Sequence, residues 1–356
     1  MTRTTTLVAA GLAGLGLSIG GVPAGAQDFS GKTIELIVPA GAGGGLSRQA
    51  QRFSKTFSDH IPGKPTIKVR NIVGGGGQKG INFVFNRAKK DGTQMLWGPM
   101  NFPGLLFGLK GVKYVPAEFN AVGVIGVNFV TIARSDLAGG LKSREDIVKA
   151  KNFNVGARIP GGALGLFSRF SFDMLGIPYR FAIGYKNQPK LKAGLMQNEI
   201  QAISTGDIGY WVFYKNDLVK KGSAVDLFYH SSFPIGSDTP EDHGKSFGDV
   251  PNFVAFYKKA KGKAPSGPMF EAYKWFAAHQ VWAMWMMLPP GTPDNVVAAM
   301  RKAYAANWAD KRTVANFSKA TKSAPFWLAG EKGGALLSGY TDIGAEAKAY
   351  LKTIIR

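Results

Sequence analysis

Cysteine is absent from the 356 residues, which excludes disulfides, thiol catalysis, cysteine-ligated metals and a lipid-modified N-terminal cysteine. Acid is scarce: 23 Asp+Glu stand against 44 Lys+Arg, a formal charge of +21. The basic residues are scattered, densest at Lys258, Lys259, Lys261 and Lys263, and do not interleave with aromatics as a nucleic-acid groove would. Such a charge reads as a solvated basic face and a long-range field that attracts acidic solutes. The four histidines, His60, His230, His243 and His279, lie far apart without metal-ligand spacing. The G-x-S-x-G pattern occurs at residues 16–20, inside the apolar first stretch, and at residues 244–248, in the loop-like region, neither of them a strand-to-helix elbow. No H-E-x-x-H pair occurs, and Asp238, Glu241 and Asp242 around His243 read as solvated loop acids. After the first residues, no run of about 18 apolar residues offers a membrane span.

Residues 1–26 read as an export signal. Arg3 supplies the positive charge, residues 7–22 the apolar stretch, and Ala24-Gly25-Ala26 the cleavage site before Gln27. The expectation is an exported, periplasmic protein cleaved after Ala26.

Strands alternate with helical patterns from there on. Residues 33–38 and 66–69 are β-branched runs, each followed by a glycine-rich turn and a helix. A strand at 94–97 closes this unit, and one or two strands at 121–133 leave it. A second series has helices at 143–150, 164–175 and 188–196, with strands at 152–157, 179–183 and 200–204. Residues 234–268, rich in Pro, Gly, Ser and Lys, read as loop. A strand at 281–288 returns to the first unit, and helices at 295–308 and 341–355 end the chain. The alternation indicates an α/β fold with a largely parallel sheet.

Two glycine-rich turns carry the most information: Gly41-Ala42-Gly43-Gly44-Gly45 and Gly74-Gly75-Gly76-Gly77. Bare backbone at a helix start suits an anion, because unpaired N–H groups and the positive end of the dipole point the same way. Close strand–helix packing is the structural alternative. Nucleotide fingerprints fail, since Leu46 stands where a dinucleotide motif needs Gly or Ala, and Gly77-Gln78-Lys79-Gly80 lacks the Lys-Ser/Thr pair.

Residues 38–47 (VPAGAGGGLS), 71–80 (NIVGGGGQKG), Lys90-Asp91-Gly92-Thr93, Gly184-Tyr185-Lys186 with residues 195–200, and 288–293 (LPPGTP) occur in order along most of the mature chain. Together they resemble the substrate-binding receptors of tripartite tricarboxylate transporters, the Bug/TctC family. The resemblance implies an α/β, two-lobed periplasmic-binding-protein architecture of type II (Venus flytrap), with the ligand cleft between lobes. It implies capture of a small organic carboxylate and delivery to the membrane permease subunits of a tripartite transporter, with no catalysis, cofactor, metal or nucleic acid. The expected lobes are 27–126 with 273–356, and 127–272, in a monomer. Carried over by position, Gly43, Gly44, Gly45 and Ser47 form one jaw, and Gly76, Gly77 and Gln78 the next, with Asn101 beside them. Arg158, Gly161, Gly162, Tyr185, Ser204, Thr205 and Asp207 face the cleft from the other lobe. Ser47 and Gln51 depart from the family's usual Asp and Arg. Trp97, Met100, Phe102, Tyr210 and Trp211 near the expected loops favour an acid with an apolar or aromatic part. An exported hydrolase or isomerase acting on a small organic acid, or a basic anion- or nucleic-acid-binding protein, are the rival classes.

Overall fold

The computed structural model describes residues 27–43, 45–234 and 236–355, so the expected export signal and Gly44 lie outside the described residues. Strands β1 (Thr33–Val38), β2 (Thr66–Asn71) and β3 (Gln94–Gly98) alternate with helices α1 (Gly45–His60), α2 (Gln78–Arg87) and the short α3 (Phe102–Leu106). Ala50, Phe53 and Phe57 recur along α1 at helical spacing and are fully buried. Phe53 packs on Trp97 of β3 with ring centroids 4.7 Å apart, which fixes α1 to the sheet. The chain then passes through β4 (Asn120–Gly126) and, after two residues, β5 (Phe129–Arg134).

A second series follows: β6 (Phe153–Gly156), α4 (Ala163–Leu175), β7 (Tyr179–Ala182), α5 (Gln188–Met196) and β8 (Ala202–Gly206). The turn α6 (Asp207–Gly209) runs directly into a π-helical stretch, Tyr210–Val219, before β9 (Ala224–His230). Helices α7 (Phe253–Lys261) and α8 (Pro268–Gln280) lead back to β10 (Trp282–Leu288). Helices α9 (Asp294–Ala309) and α10 (Lys311–Thr321), strand β11 (Trp327–Ala329), and helices α11 (Gly330–Ser338) and α12 (Ala345–Ile354) complete the described chain.

The strands form two sheets, one six-stranded in the order β11-β4-β10-β3-β1-β2 and one five-stranded in the order β7-β6-β8-β5-β9. Both are mixed, which corrects the expectation of a largely parallel sheet. β1 pairs parallel with β2 and β3, but β10 runs antiparallel between β3 and β4. β5 likewise runs antiparallel to both β8 and β9. The cause is the pair of crossings: a strand entering a sheet from the opposite half of the molecule arrives without a helical crossover and so in reverse direction. The crossings lie side by side, with the Val127 amide donating to the Val281 carbonyl at 2.8 Å.

Residues 234–268 are not all loop. Asn252 caps α7 by accepting the Ala255 amide at 2.8 Å, and Phe253 and Phe256 pack on Phe228. The expected helix at 143–150 is a 3-10 turn over Arg144–Lys149, opened by a Ser143/Asp146 capping box. Helix α12 packs on α8, and Tyr350 donates to Asp173 of α4 at 2.7 Å, so the chain's end leans on elements of the second series.

The Phe326 ring lies against bare Gly126 beside the crossing and stacks on His243 at 4.0 Å. A Cβ on Gly126 would fall within that ring. Gly126→Ala is expected to cost about 1–3 kcal/mol in chemical denaturation, because the ring must leave its place on His243; an unchanged midpoint would show that the ring is not held there.

Candidate functional site

The first glycine turn is open. Gly41, Ala42, Gly43 and Gly45 are exposed, and a Cβ on Gly41, Gly43 or Gly45 would meet nothing within 4 Å. Gly43 has φ +73°, a conformation that only glycine adopts at no cost, and its carbonyl accepts the Arg48 Nε at 2.7 Å. α1 carries no acid in its first turn, so nothing in its own sequence neutralises its positive end. Ser47 is not on this open face. It is fully buried, its Oγ donating to Asn71 Oδ1 at 3.3 Å while Asn71 Nδ2 donates to the Ala40 carbonyl at 2.8 Å. The pair ties the turn to the end of β2.

The second turn is only half open. All four of its glycines have positive φ, from 55° to 140°, and Gly75 and Gly76 are exposed. Gly77 is buried, and a Cβ on it would stand 3.3 Å from the Pro39 carbonyl oxygen. Its amide donates to the Gly74 carbonyl at 3.0 Å, and the Gln78 amide donates to Gly75. Those two N–H groups are thus spent inside the loop. The Gln78 side chain is 5% exposed and its Oε1 has no hydrogen-bond partner among the described residues. Asn101 caps α3, its Oδ1 accepting the Gly104 amide at 3.0 Å.

Arg158 is exposed beyond the end of β6, its carbonyl accepting the Gly184 amide at 3.3 Å. Gly162 is the N-cap of α4, and Gly161 lies against the Ile355 carbonyl at the end of α12. Tyr185 folds over Gly194 of α5, its hydroxyl donating to Glu199 at 3.2 Å. Thr205 is fully buried. Ser204 is buried within a chain of hydroxyls that the sequence did not reveal. Its Oγ lies 2.7 Å from Ser168 and 2.8 Å from Thr131; Thr131 reaches His230 Nε2 at 2.9 Å, and His230 Nδ1 reaches the Tyr273 hydroxyl at 3.0 Å. All five side chains are essentially inaccessible. Burial drives the His230 imidazole down to about 3, so it sits neutral within the chain of bonds.

Asp207 opens the helix after β8. It is 3% exposed, accepts the Ile208 amide on Oδ1 at 2.6 Å, and has its own amide bonded to the Asn128 carbonyl at 3.0 Å. Burial raises its carboxyl to about 7, the amides opposing that rise. It borders a cavity of about 20 Å³ with Gln49 of α1, Thr321 of α10 and Ser323. That space suits one water. Asp207 is therefore brought to the meeting of the two halves, whereas Tyr185, Ser204 and Ser47 are engaged elsewhere. Neither glycine turn lines this cavity.

Ser232, Glu241 and His243 form an arrangement resembling a hydrolytic centre. Ser232 Oγ and Glu241 Oε2 both reach the same ring nitrogen, His243 Nε2, at 3.4 and 3.0 Å. A base oriented by an acid needs the second nitrogen for that acid, so no proton relay results. Among the described residues no group of His, Cys, Asp and Glu is placed to hold a metal ion, and no helix is long and apolar enough to cross a membrane.

Two titrations follow. Unfolded, His230 protonates near 6.5, and folded only near 3, so between those values the unfolded chain binds more protons and stability falls on acidification. From pH 6.5 to 4.5 wild type should lose about 2–3 kcal/mol more than His230→Gln in urea denaturation; equal losses would place the charge change elsewhere. Asp207 works in the opposite sense. Its folded value lies above 3.8, so its proton supports the fold at low pH and that support is lost as pH rises through about 7. Relative to wild type, Asp207→Asn should be more stable at pH 8 than at pH 4, by up to about 4 kcal/mol. A pH-independent difference would mean that Asp207 is not desolvated.

No protein-family model and no curated protein matches this chain. Solved structures do. A TctC solute-binding protein from Polaromonas, without ligand, aligns with a TM-score of 0.63 at 20% identity over 91% of this chain and 97% of its own. The periplasmic binding protein BugD aligns with a TM-score of 0.61 at 19% identity over 90% and 97%. Rpa4515 from R. palustris, solved with adipate, aligns with a TM-score of 0.63 at 15% identity over 92% and 98%. The chain has the two-lobed α/β fold of the TctC and Bug periplasmic binding proteins.

Proposed function

We propose that this chain is a periplasmic solute-binding receptor that captures a small organic carboxylate and passes it to the permease of a tripartite tricarboxylate-type transporter, performing no chemistry itself. The observation that carries this reading is the turn before α1: exposed, stripped of side chains, free of acid and aimed with the helix dipole. Rpa4515, which shares the fold, was solved with adipate, a ligand of this kind. The lobes we assign are residues 27–126 with 273–356, and 127–272, and ligand shifts them toward the closed arrangement. A charge of +21 raises the local concentration of anions around such a cleft. Residues 1–26, removed after Ala26, direct export, and the mature protein acts as a monomer.

Of the residues expected to hold ligand, Gly43, Gly45 and Gly76 are exposed. Arg158 is an exposed cation beside the opposite lobe's loops and would pair with a second carboxylate. Ser47 and Asn71 serve as supports that hold the first turn in shape.

Gly45→Val isolates the role of the turn, because φ is not positive there and a Cβ enters open space. In thermal-shift titrations with adipate and a panel of mono-, di- and aromatic carboxylates, wild type should show a saturable rise in Tm. Gly45→Val should keep its unliganded Tm and lose at least about tenfold in affinity. Duplex DNA should give only binding that 0.5 M salt abolishes. No shift with any acid, or full affinity in the variant, would sink the receptor reading or the turn's part in it, respectively.

A further inference from the structure

A second cavity, about 570 Å³, lies on the other side of Ile208 from the small one beside Asp207. Three cations line it: Arg52 from α1, and Lys319 and Lys322 from α10 and its end. Trp211 and Val212 of the π-helical stretch form an apolar wall, with Asn216 and Asn316 adding amides. No Asp or Glu lines it. Among the described residues none of the three cations belongs to an ion pair, and Asp217, beside Asn216 in sequence, is taken by Lys192. The cavity opens to solvent, Val212 being 61% exposed.

Two backbone features converge on this place. Lys322 closes α10 with φ +61°, the left-handed position that helices ordinarily give to glycine. A lysine there accepts strain that glycine would avoid, and it sets a cation at the cavity. Tyr210–Val219 is π-helical, a rare conformation that is frequent at functional sites, and it delivers Trp211, Val212 and Asn216 to the opposite wall. The volume falls within the range of small-ligand pockets.

We propose that this cavity is an anion site distinct from the glycine turn, and that it takes an aromatic polycarboxylate. The ring would lie along Trp211, the carboxylates would face Arg52, Lys319 and Lys322, and Asn216 and Asn316 would take the remaining polar edges. A single carboxylate would leave two cations unanswered; a compact polyanion would leave the apolar wall unused. The inference does not depend on the receptor reading, since the site could serve a regulatory anion equally well.

Calorimetric titration of the protein with benzene-1,3,5-tricarboxylate, benzoate and citrate tests it. The aromatic tricarboxylate should bind saturably, on the order of tenfold or more tighter than either of the others, and weaken between 50 and 500 mM salt. Lys322→Gly should lower that affinity by about tenfold while leaving Tm equal or higher, because it relieves the strained φ as it removes the charge. Lys319→Gln, on an exposed side chain, should lower affinity likewise and serves if the first variant fails to fold. Gly45→Val should leave it unchanged. Absence of saturable binding, citrate equal to the aromatic acid, or full affinity in both lysine variants would overturn the proposal. Loss in Gly45→Val with retention in Lys322→Gly would place the anion at the turn, overturning this site and leaving the receptor reading intact.

Discussion

Pro39 is the point on which the candidate site is built. It follows β1, and three glycines from other elements close on it: Gly98 at the end of β3, Gly77 before α2 and Gly80 within α2. A Cβ on Gly98 would lie 2.7 Å from the proline ring, and one on Gly80 3.0 Å from its Cα. The ends of β1, β3 and the start of α2 can therefore approach only because those positions lack side chains. The glycine-rich second turn is in large part a packing device. Its consequence is functional: the chain that leaves Pro39 as Gly41, Ala42 and Gly43 rises from a rigid platform, with Ser47 and Asn71 pinning it from behind. Amides held this way need little ordering when a ligand arrives.

The second half answers a different constraint. Its sheet encloses Ser168, Ser204, Thr131, His230 and Tyr273, and polar groups so placed are tolerable only when each is bonded and none is charged. A charged His230 would have no acid to meet, which is why burial alone sets its titration. Asp207 is held at the boundary between halves by two backbone amide bonds and no cation. The halves touch through the paired crossings at Val127 and Val281, the stack of His243 on Phe326, Ser246 on Ser323, and helix α12, which packs on α8 and bonds Asp173 of α4 through Tyr350.

Local patterns were legible in the sequence and long-range ones were not. Helix α5 falls on the expected residues 188–196 because Asn187 caps it and Pro189 stands in its first turn. β10 was also expected, but not its antiparallel place between β3 and β4, because a strand's period says nothing about its neighbours. Helix α7 was hidden by the Gly and Pro on both sides of it, though Phe253, Phe256 and Tyr257 carry a helical stripe. Position in the family pattern placed Ser204 and Tyr185 in the cleft; the pairing of a buried hydroxyl with Thr131, and of Tyr185 with Glu199, leaves no mark that spacing can show. The hint for the buried chain was His230 at the end of the apolar run Leu227, Phe228, Tyr229. For the cationic cavity there was a hint too, a lysine where α10 would ordinarily end on glycine, visible only once the helix's end is known.

What joins the two candidate anion positions is their relation to the halves. The turn before α1 belongs to one sheet's side alone and is present whether or not the other half is near. The cavity is different: Arg52, Lys319 and Lys322 come from helices α1 and α10, which pack with the first sheet, whereas Trp211 and Asn216 follow β8 of the second. Its apolar wall faces the cations only while the halves meet. A ligand shifts a conformational equilibrium by the difference of its affinities for the two states. An anion in that cavity keeps its three cations in the separated arrangement and loses Trp211 and Asn216, so only what those side chains add to its binding favours closure. An anion at the turn favours closure only through whatever the opposite half adds. The three cations stay together on α1 and α10 whether or not the halves meet, so their mutual repulsion is the same in both arrangements. The ring that meets Trp211, rather than the charge that meets α1 and α10, therefore makes the seam responsive to what occupies it.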